Sequence, residues 1–177
     1  NAARLKDSAA FGPSLFAVAE NGVWAITGPN DYFDLTQVIQ KKIIEHTISC
    51  YDPMLVTDNG IIVFGDSEIF FIQPGAQENQ LVKLAENKVS SFYKQIPLTS
   101  KKYAFTKYDK YNKRAYFFWT EDTTKLAQNK YQTYAQADKA LVFDFRTQSW
   151  LAPMDFSNGD WSIIDLVTVP ADRYFAA

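Results

Sequence analysis

The chain has 177 residues, of which 47% are hydrophobic and 21% charged; such a composition supports a packed core and excludes a disordered polypeptide. A length of this order suits one domain or a few repeat units. The formal net charge is −2, and the basic pairs Lys41–Lys42 and Lys101–Lys102 stand alone, so no basic stripe marks a nucleic-acid-binding surface.

Residues 1–13 are small and polar and read as a lead-in loop. Leu15–Val18 is a predicted strand, "ENG" at 20–22 a tight turn, and Val23–Ile26 the returning strand. Asn-Gly favours such turns because both residues tolerate positive φ. The stretch 34–49 mixes a partial helical face with Val, Ile and Thr, and is predicted as an irregular connection with a strand near 43–49. Residues 51–75 predict an antiparallel meander of three strands, Met54–Thr57, Ile61–Phe64 and Glu68–Ile72, turning at "DNG" and "GDS".

Leu81, Leu84, Ala85, Val89, Phe92 and Ile96 lie near one helical face, which predicts a helix over about 79–94. Strands return at 102–109 and 114–120, around the turn "KYNK". Residues 121–139 are polar and rich in Ala and Gln; they predict an inserted surface loop with a helical turn. Residues 140–150 predict a hairpin that turns at Arg146–Gln148 and returns through Ser149–Leu151. The segment "DFSNGDW" (155–161) reads as a turn, and 162–169 with 172–176 as a last strand pair.

One internal repeat organises these elements. With Leu15 laid over Ile61, an offset of 46 residues, Val18 meets Phe64, Glu20 meets Asp66, Val23 meets Ile69, Trp24 meets Phe70 and Ile26 meets Ile72. Aromatic-rich hairpins at that spacing predict a mainly β fold of antiparallel hairpins and meanders arranged as propeller-like blades, with one helix inserted. The approximate blade repeats are 14–59, 60–100 and 101–177, making 1–177 one partial propeller and a fragment of a longer chain. A β-sandwich is the alternative architecture. Trp24 and Phe70 are predicted to occupy matching buried positions.

Chemistry-bearing motifs are sparse. The single cysteine, Cys50, excludes an internal disulfide framework, and the single histidine, His46, makes a zinc site depend on carboxylates. A reactive Cys50–His46 pair at i, i+4 has no supporting context, and Cys50 reads as a buried thiol. No phosphate loop, G-x-S-x-G or H-E-x-x-H is present, and Ser49 and Asp52 form no triad motif around His46. The acidic clusters Asp31/Asp34 and Asp66/Glu68 have the composition of a glycosidase carboxylate pair, but each sits where a turn is expected. Asp155, Asn158 and Asp160 only loosely follow a calcium loop, because the glycine comes one place early and no Glu closes it. The aromatics of "YDKYNKRAYFFW" serve either as cross-strand pairs or as a sugar-stacking surface. The sequence therefore predicts no enzyme, no cofactor, no metal and no catalytic residue. No apolar run is long enough for a membrane-spanning helix and no signal peptide is recognisable. The chain opens on Asn1 rather than Met, as expected of a processed product or part of a longer polypeptide.

Several motifs carry a family resemblance: Gly22-Val23-Trp24; Tyr108-Asp109 followed by Arg114, Tyr116 and Phe117; and Val142-Phe143-Asp144 ending at Trp150. With them, the stretch 14–151 resembles the β-propeller region of tail nozzle proteins of short-tailed bacteriophages, also called tail tubular B or, in crAss-like phages, muzzle proteins. The resemblance implies a structural virion protein at the distal end of the tail tube. It implies a cyclic, sixfold homo-oligomer, other phage tail proteins as partners, and DNA passing non-specifically through the lumen during ejection. The alternatives are a carbohydrate-binding or glycan-degrading propeller acting as a receptor-binding module, and a scaffold propeller that binds other proteins.

Overall fold

A computed structural model of the chain describes residues 4–28, 38–73, 75, 79–85, 87–126, 136–158 and 163. The architecture is mainly β, built from successive antiparallel meanders. The first sheet runs β1 (Leu5–Phe11), β2 (Ser14–Ala19), β3 (Gly22–Thr27) and β4 (Ile39–Ile44) in chain order. The second repeats that order with β5 (Met54–Val56), β6 (Ile61–Phe64), β7 (Ile69–Gln73) and β8 (Gln80–Lys83). Helices α1 (Asn87–Gln95) and α2 (Leu98–Lys102) then lead to the third sheet. Its strands are β9 (Phe105–Asp109), β10 (Arg114–Trp119), β11 (Lys139–Asp144) and β12 (Ser149–Trp150), with β13 (Met154–Asp155) also paired to β11.

The sheets stack face to face. Phe16, Val18, Val23 and Ala25 of the first sheet form one core with Met54, Ile61, Val63, Phe70 and Ile72 of the second. The opposite face of the second sheet, Leu55, Ile62, Phe64 and Ile69, packs on Ala115, Phe117, Trp119, Leu141 and Phe143 of the third, with Tyr93 and Ile96 of the helical segment joining in. Phe64 stacks on Phe117 with ring centroids 4.9 Å apart. Sandwiching explains why β6 is apolar at every position and not alternating: both of its faces are covered. The other face of the third sheet, Phe105, Phe118, Ala140 and Val142, is backed by Leu151, Met154 and Phe156. Strand β5 lies against both β1 and β9, so the leading strands of the three sheets gather together.

The internal repeat is structural. Leu15 pairs with Ile26 and Ala17 with Trp24 in the first sheet; Ile61 pairs with Ile72 and Val63 with Phe70 in the second. These pairs coincide at the 46-residue offset read from the sequence. Burial matches on one face only. Phe16, Val18 and Val23 are as buried as Ile62, Phe64 and Ile69. Leu15, Trp24 and Ile26, by contrast, are partly exposed, whereas Ile61, Phe70 and Ile72 are buried beneath the first sheet. Trp24 thus holds the predicted register but not the predicted burial; Lys42 Nζ lies 5.3 Å from its ring centroid.

Other expectations shift locally. Residues 5–11 form a strand, not a loop: their pattern lacks alternation because β1 is an edge strand held by its pairing with β2. The first hairpin turns on Glu20–Asn21, with Ala19 opposite Gly22. Gly22 instead opens β3 at a φ of 146°, with its α-carbon pressed toward the Ile44 carbonyl. The strand expected near 43–49 runs over Ile39–Ile44; the residues after it cross to the second sheet, where Ile48 N–H donates to Glu20 O and Asp66 N–H to Thr47 O. The inserted helix forms but begins at Asn87, because Gln80–Lys83 is taken as the fourth strand of the second sheet. Lys102 ends α2, and the predicted strand 102–109 starts at Phe105. A 3-10 turn occupies Thr123–Lys125. The last predicted strand pair, 162–169 and 172–176, lies outside the described residues except for Ile163, which bridges to Ala137.

Candidate functional site

Of the residues singled out in the sequence, Cys50, His46, Ser49, Asp52 and Asp66 are engaged in contacts between segments of the fold. Cys50 is buried, its thiol donates to Ala104 O at 3.5 Å, and burial pushes it up to about 12. His46 makes its contacts elsewhere: its Nε2 accepts from the backbone N–H of Ser67 at 3.3 Å and lies 3.2 Å from Ser67 Oγ. The edge of its ring meets Phe70, with centroids 5.3 Å apart. Ser49 is likewise turned from His46, donating its N–H and hydroxyl to the two Asp66 carboxylate oxygens at 2.7 and 2.8 Å. Asp52 accepts from Thr106 N–H at 2.9 Å, and burial raises its carboxyl above the usual range.

Of the two acidic pairs, Asp66 and Glu68 lie among the described residues, and both are engaged in contacts with other segments. Asp66 fastens the segment after β4 to the β6–β7 turn, and Glu68 faces Lys94 and Lys83 at 3.6 and 3.8 Å. Asp155 accepts from Ser157 N–H at 2.9 Å within its own turn. Asp31, Asp34 and Asp160 lie outside the described residues. Among the described residues, no group of three or more His, Cys, Asp or Glu side chains is placed to hold a metal ion, and no helix is long and apolar enough to cross a membrane.

Around the β6–β7 turn, Lys101 is buried, with its Nζ donating to Asp66 O at 2.6 Å and lying 4.3 Å from the Tyr93 ring centroid. Burial lowers its ammonium from the usual range, and the nearby Asp66 charge opposes that shift. Tyr93 O–H in turn donates to Gly65 O at 2.7 Å. At the tip of the third sheet, Asp144 accepts from Arg146 Nη2 and Arg114 Nε, both at 3.0 Å. The two guanidiniums, Arg146 foremost, hold its carboxyl well below the usual carboxylate range. This clamp fixes the β11–β12 turn against β10.

Two grooves among the described residues are wide enough to admit a ligand. A polar groove of about 560 Å³ is lined by Asn21, Lys42, Glu45, His46, Asp66 and Ser67 among others. Its Ser67–His46 contact does not amount to a nucleophile and base, because the Ser67 backbone N–H donates to the same ring nitrogen. A second groove of about 570 Å³ runs between the second and third sheets, walled by Phe71, Leu84, Phe143, Phe145 and Trp150 and rimmed by Asn59, Gln73, Lys83 and Gln148. The aromatics of 108–119 supply little of it. Phe117 and Trp119 are core, and Tyr108 O–H donates to Asp58 at 3.1 Å. The rings of the groove come from β7, the end of β11, Phe145 just after it and β12; the sequence reads them as hairpin residues, with Phe143 and Trp150 also among the motifs of the family resemblance. Set against known proteins, the chain matches no protein-family model and no curated protein.

Proposed function

We propose that this chain is a structural component of a phage tail, a propeller arc of the kind found in the tail nozzle proteins it resembles. The carrying observation is the stack of successive four-stranded meanders with their leading strands gathered together. Its side chains with chemical potential, Asp66, Asp52 and Asp144, are committed to tying sheets and turns to one another. The repeat adds a second support. Leu15, Trp24 and Ile26 are partly exposed where their equivalents Ile61, Phe70 and Ile72 are buried under a neighbouring sheet, so the outer face of the first sheet carries an apolar strip, bordered by Lys42 and Gln40 of β4, where the repeat places a contact between blades. In this reading further sheets complete the arc, and copies close head to tail into a sixfold ring around the path of exiting DNA.

The test is imaging. Antibody raised against the chain should label the distal end of isolated tails, and class averages of that region should show a ring of identical copies. A soluble monomer absent from virions, with the chain closed into its own propeller, would overturn the reading.

A further inference from the structure

We propose that the groove between the second and third sheets is a glycan-binding site for a short neutral oligosaccharide. Sugars present flat C–H faces that pack on aromatic rings and hydroxyls that need groups able both to donate and to accept. The groove supplies the two kinds of partner side by side. Phe71, Phe145 and Trp150 line it while remaining partly exposed, and their orientations are fixed. The edge of Phe145 meets Tyr108 and Phe143 at interplanar angles of 89° and 88°. Trp150 is held by its Nε1–H, which donates to Leu84 O at 2.9 Å, and by a tilted contact with Phe143 at 5.2 Å. A binding surface built from pre-positioned rings loses little conformational freedom on loading.

Three amides surround the rings. Asn59, Gln73 and Gln148 are exposed at the groove, and none of their side-chain amides bonds to a described residue. Each offers a carbonyl acceptor and an NH₂ donor, the combination a hydroxyl requires. Gln148 is held at a φ of 51° at the tip of the β11–β12 turn, whose base is clamped by Asp144 and its arginines. The volume, about 570 Å³, falls in the range of small-molecule sites, roughly 300–1,000 Å³. Charge selects among ligands: among the described residues of the lining, Lys83 is the one ionisable side chain, which suits a neutral chain better than a polyphosphate backbone. The proposal is independent of the structural role above, and either can fail alone.

The experiment titrates the full chain, ¹⁵N-labelled, with maltotriose, cellotriose and triacetylchitotriose in turn. At least one should shift the side-chain NH₂ signals of Asn59, Gln73 and Gln148 and the Trp150 indole signal, saturating below about 10 mM, a typical weak-site affinity of a few kcal/mol. Gln73→Ala and Gln148→Ala remove exposed groups, so the thermal melt should not change. Each should weaken binding about threefold to tenfold, the net worth of one hydrogen bond. Trp150→Phe keeps an apolar ring and should weaken binding further. The proposal is overturned if no trisaccharide shifts these signals, or if shifts occur but the glutamine variants leave them unchanged. It is also overturned if the groove responds only to an extended peptide added along β8.

Discussion

Gly22 offers the most direct test of how the first sheet is built. Its φ is 146°, and a methyl placed on its α-carbon would overlap the Ile44 carbonyl oxygen and approach Lys42 Cε to 2.8 Å. The lysine end can swing away. The carbonyl cannot, because β4 is laddered to β3 at that point. Adopting such a φ with a side chain costs about 1–3 kcal/mol, and forcing the backbones apart costs about 1–3 kcal/mol more. Gly22→Ala should therefore destabilise the protein by about 4 kcal/mol. With a urea dependence of about 2 kcal/mol per M, the unfolding midpoint should fall by about 2 M. Gly60→Ala should behave alike, since its φ is 156° and a methyl there would overlap Ile72 O and meet the Phe71 ring at 3.0 Å. Gly28 is the control: among the described residues the nearest atom to an added methyl is Val38 Cγ2 at 3.9 Å, so Gly28→Ala should stay within about 0.5 kcal/mol. If Gly22→Ala unfolds at the same urea concentration as Gly28→Ala, the close approach of β3 and β4 is not what the glycine is for.

Three further outcomes are expected. Cys50 should resist Ellman's reagent in the native protein near pH 8 and react on unfolding in urea, since its thiol is buried and raised to about 12; rapid labelling without urea would show an open core. Asp144 is held below its unfolded range by Arg146 and Arg114, so its stabilisation is fully present above the unfolded value of about 3.9 and is lost as pH falls toward the folded value. The stability gap between wild type and Asp144→Asn should accordingly hold down to about pH 4 and narrow below it, and a constant gap across chemical melts at lower pH would exclude the clamp. Phe70→Ala should cost about 3–5 kcal/mol and exceed Trp24→Ala, whose ring is partly exposed beside Lys42; the reverse order in urea melts would mean the first sheet's outer face is covered.

What could be read in the sequence was whatever local chemistry decides. The hairpins at 15–26 and 61–72 show in short apolar runs bounded by turn residues, and their equivalence survives in the pairing register. Where partners distant in the chain decide, the sequence was silent or misleading. The residues of β1, LKDSAAF, become a strand only because β2 offers an edge. Leu81 fits a helical stripe, yet in β8 it pairs with Ile72 and stays exposed. The aromatic groove is the extreme case: Phe71 and Trp150 come from different sheets, and each alone is indistinguishable from a core residue. Cys50 was readable as a buried thiol because no basic or glycine-rich context flanks it in the chain, and in the fold burial outweighs the nearby Lys6 charge.

The repeat also separates folding from assembly at one pair of positions. Ile26 and Ile72 are equivalent, each paired with the first residue of its aligned segment, Leu15 or Ile61. Ile72 is 0% exposed, between two sheets. A lysine there has no route to water, and burying its ammonium or a neutral amine costs several kcal/mol. Ile72→Lys should therefore fail to fold, giving no cooperative melt. Ile26 is partly exposed on the outer face of the first sheet, where a lysine stem can lie along Trp24 with its ammonium in solvent. Ile26→Lys should retain a cooperative melt near that of the wild type. If the proposed ring is built through this face, the same variant should abolish assembly, because docking another sheet would strip water from an unpaired charge. Electron microscopy of phage particles carrying Ile26→Lys should then show tails lacking the distal ring, while the purified chain stays folded. Normal rings with a folded variant would remove this face from the contact between blades, and a variant that does not fold would show that the face is already core.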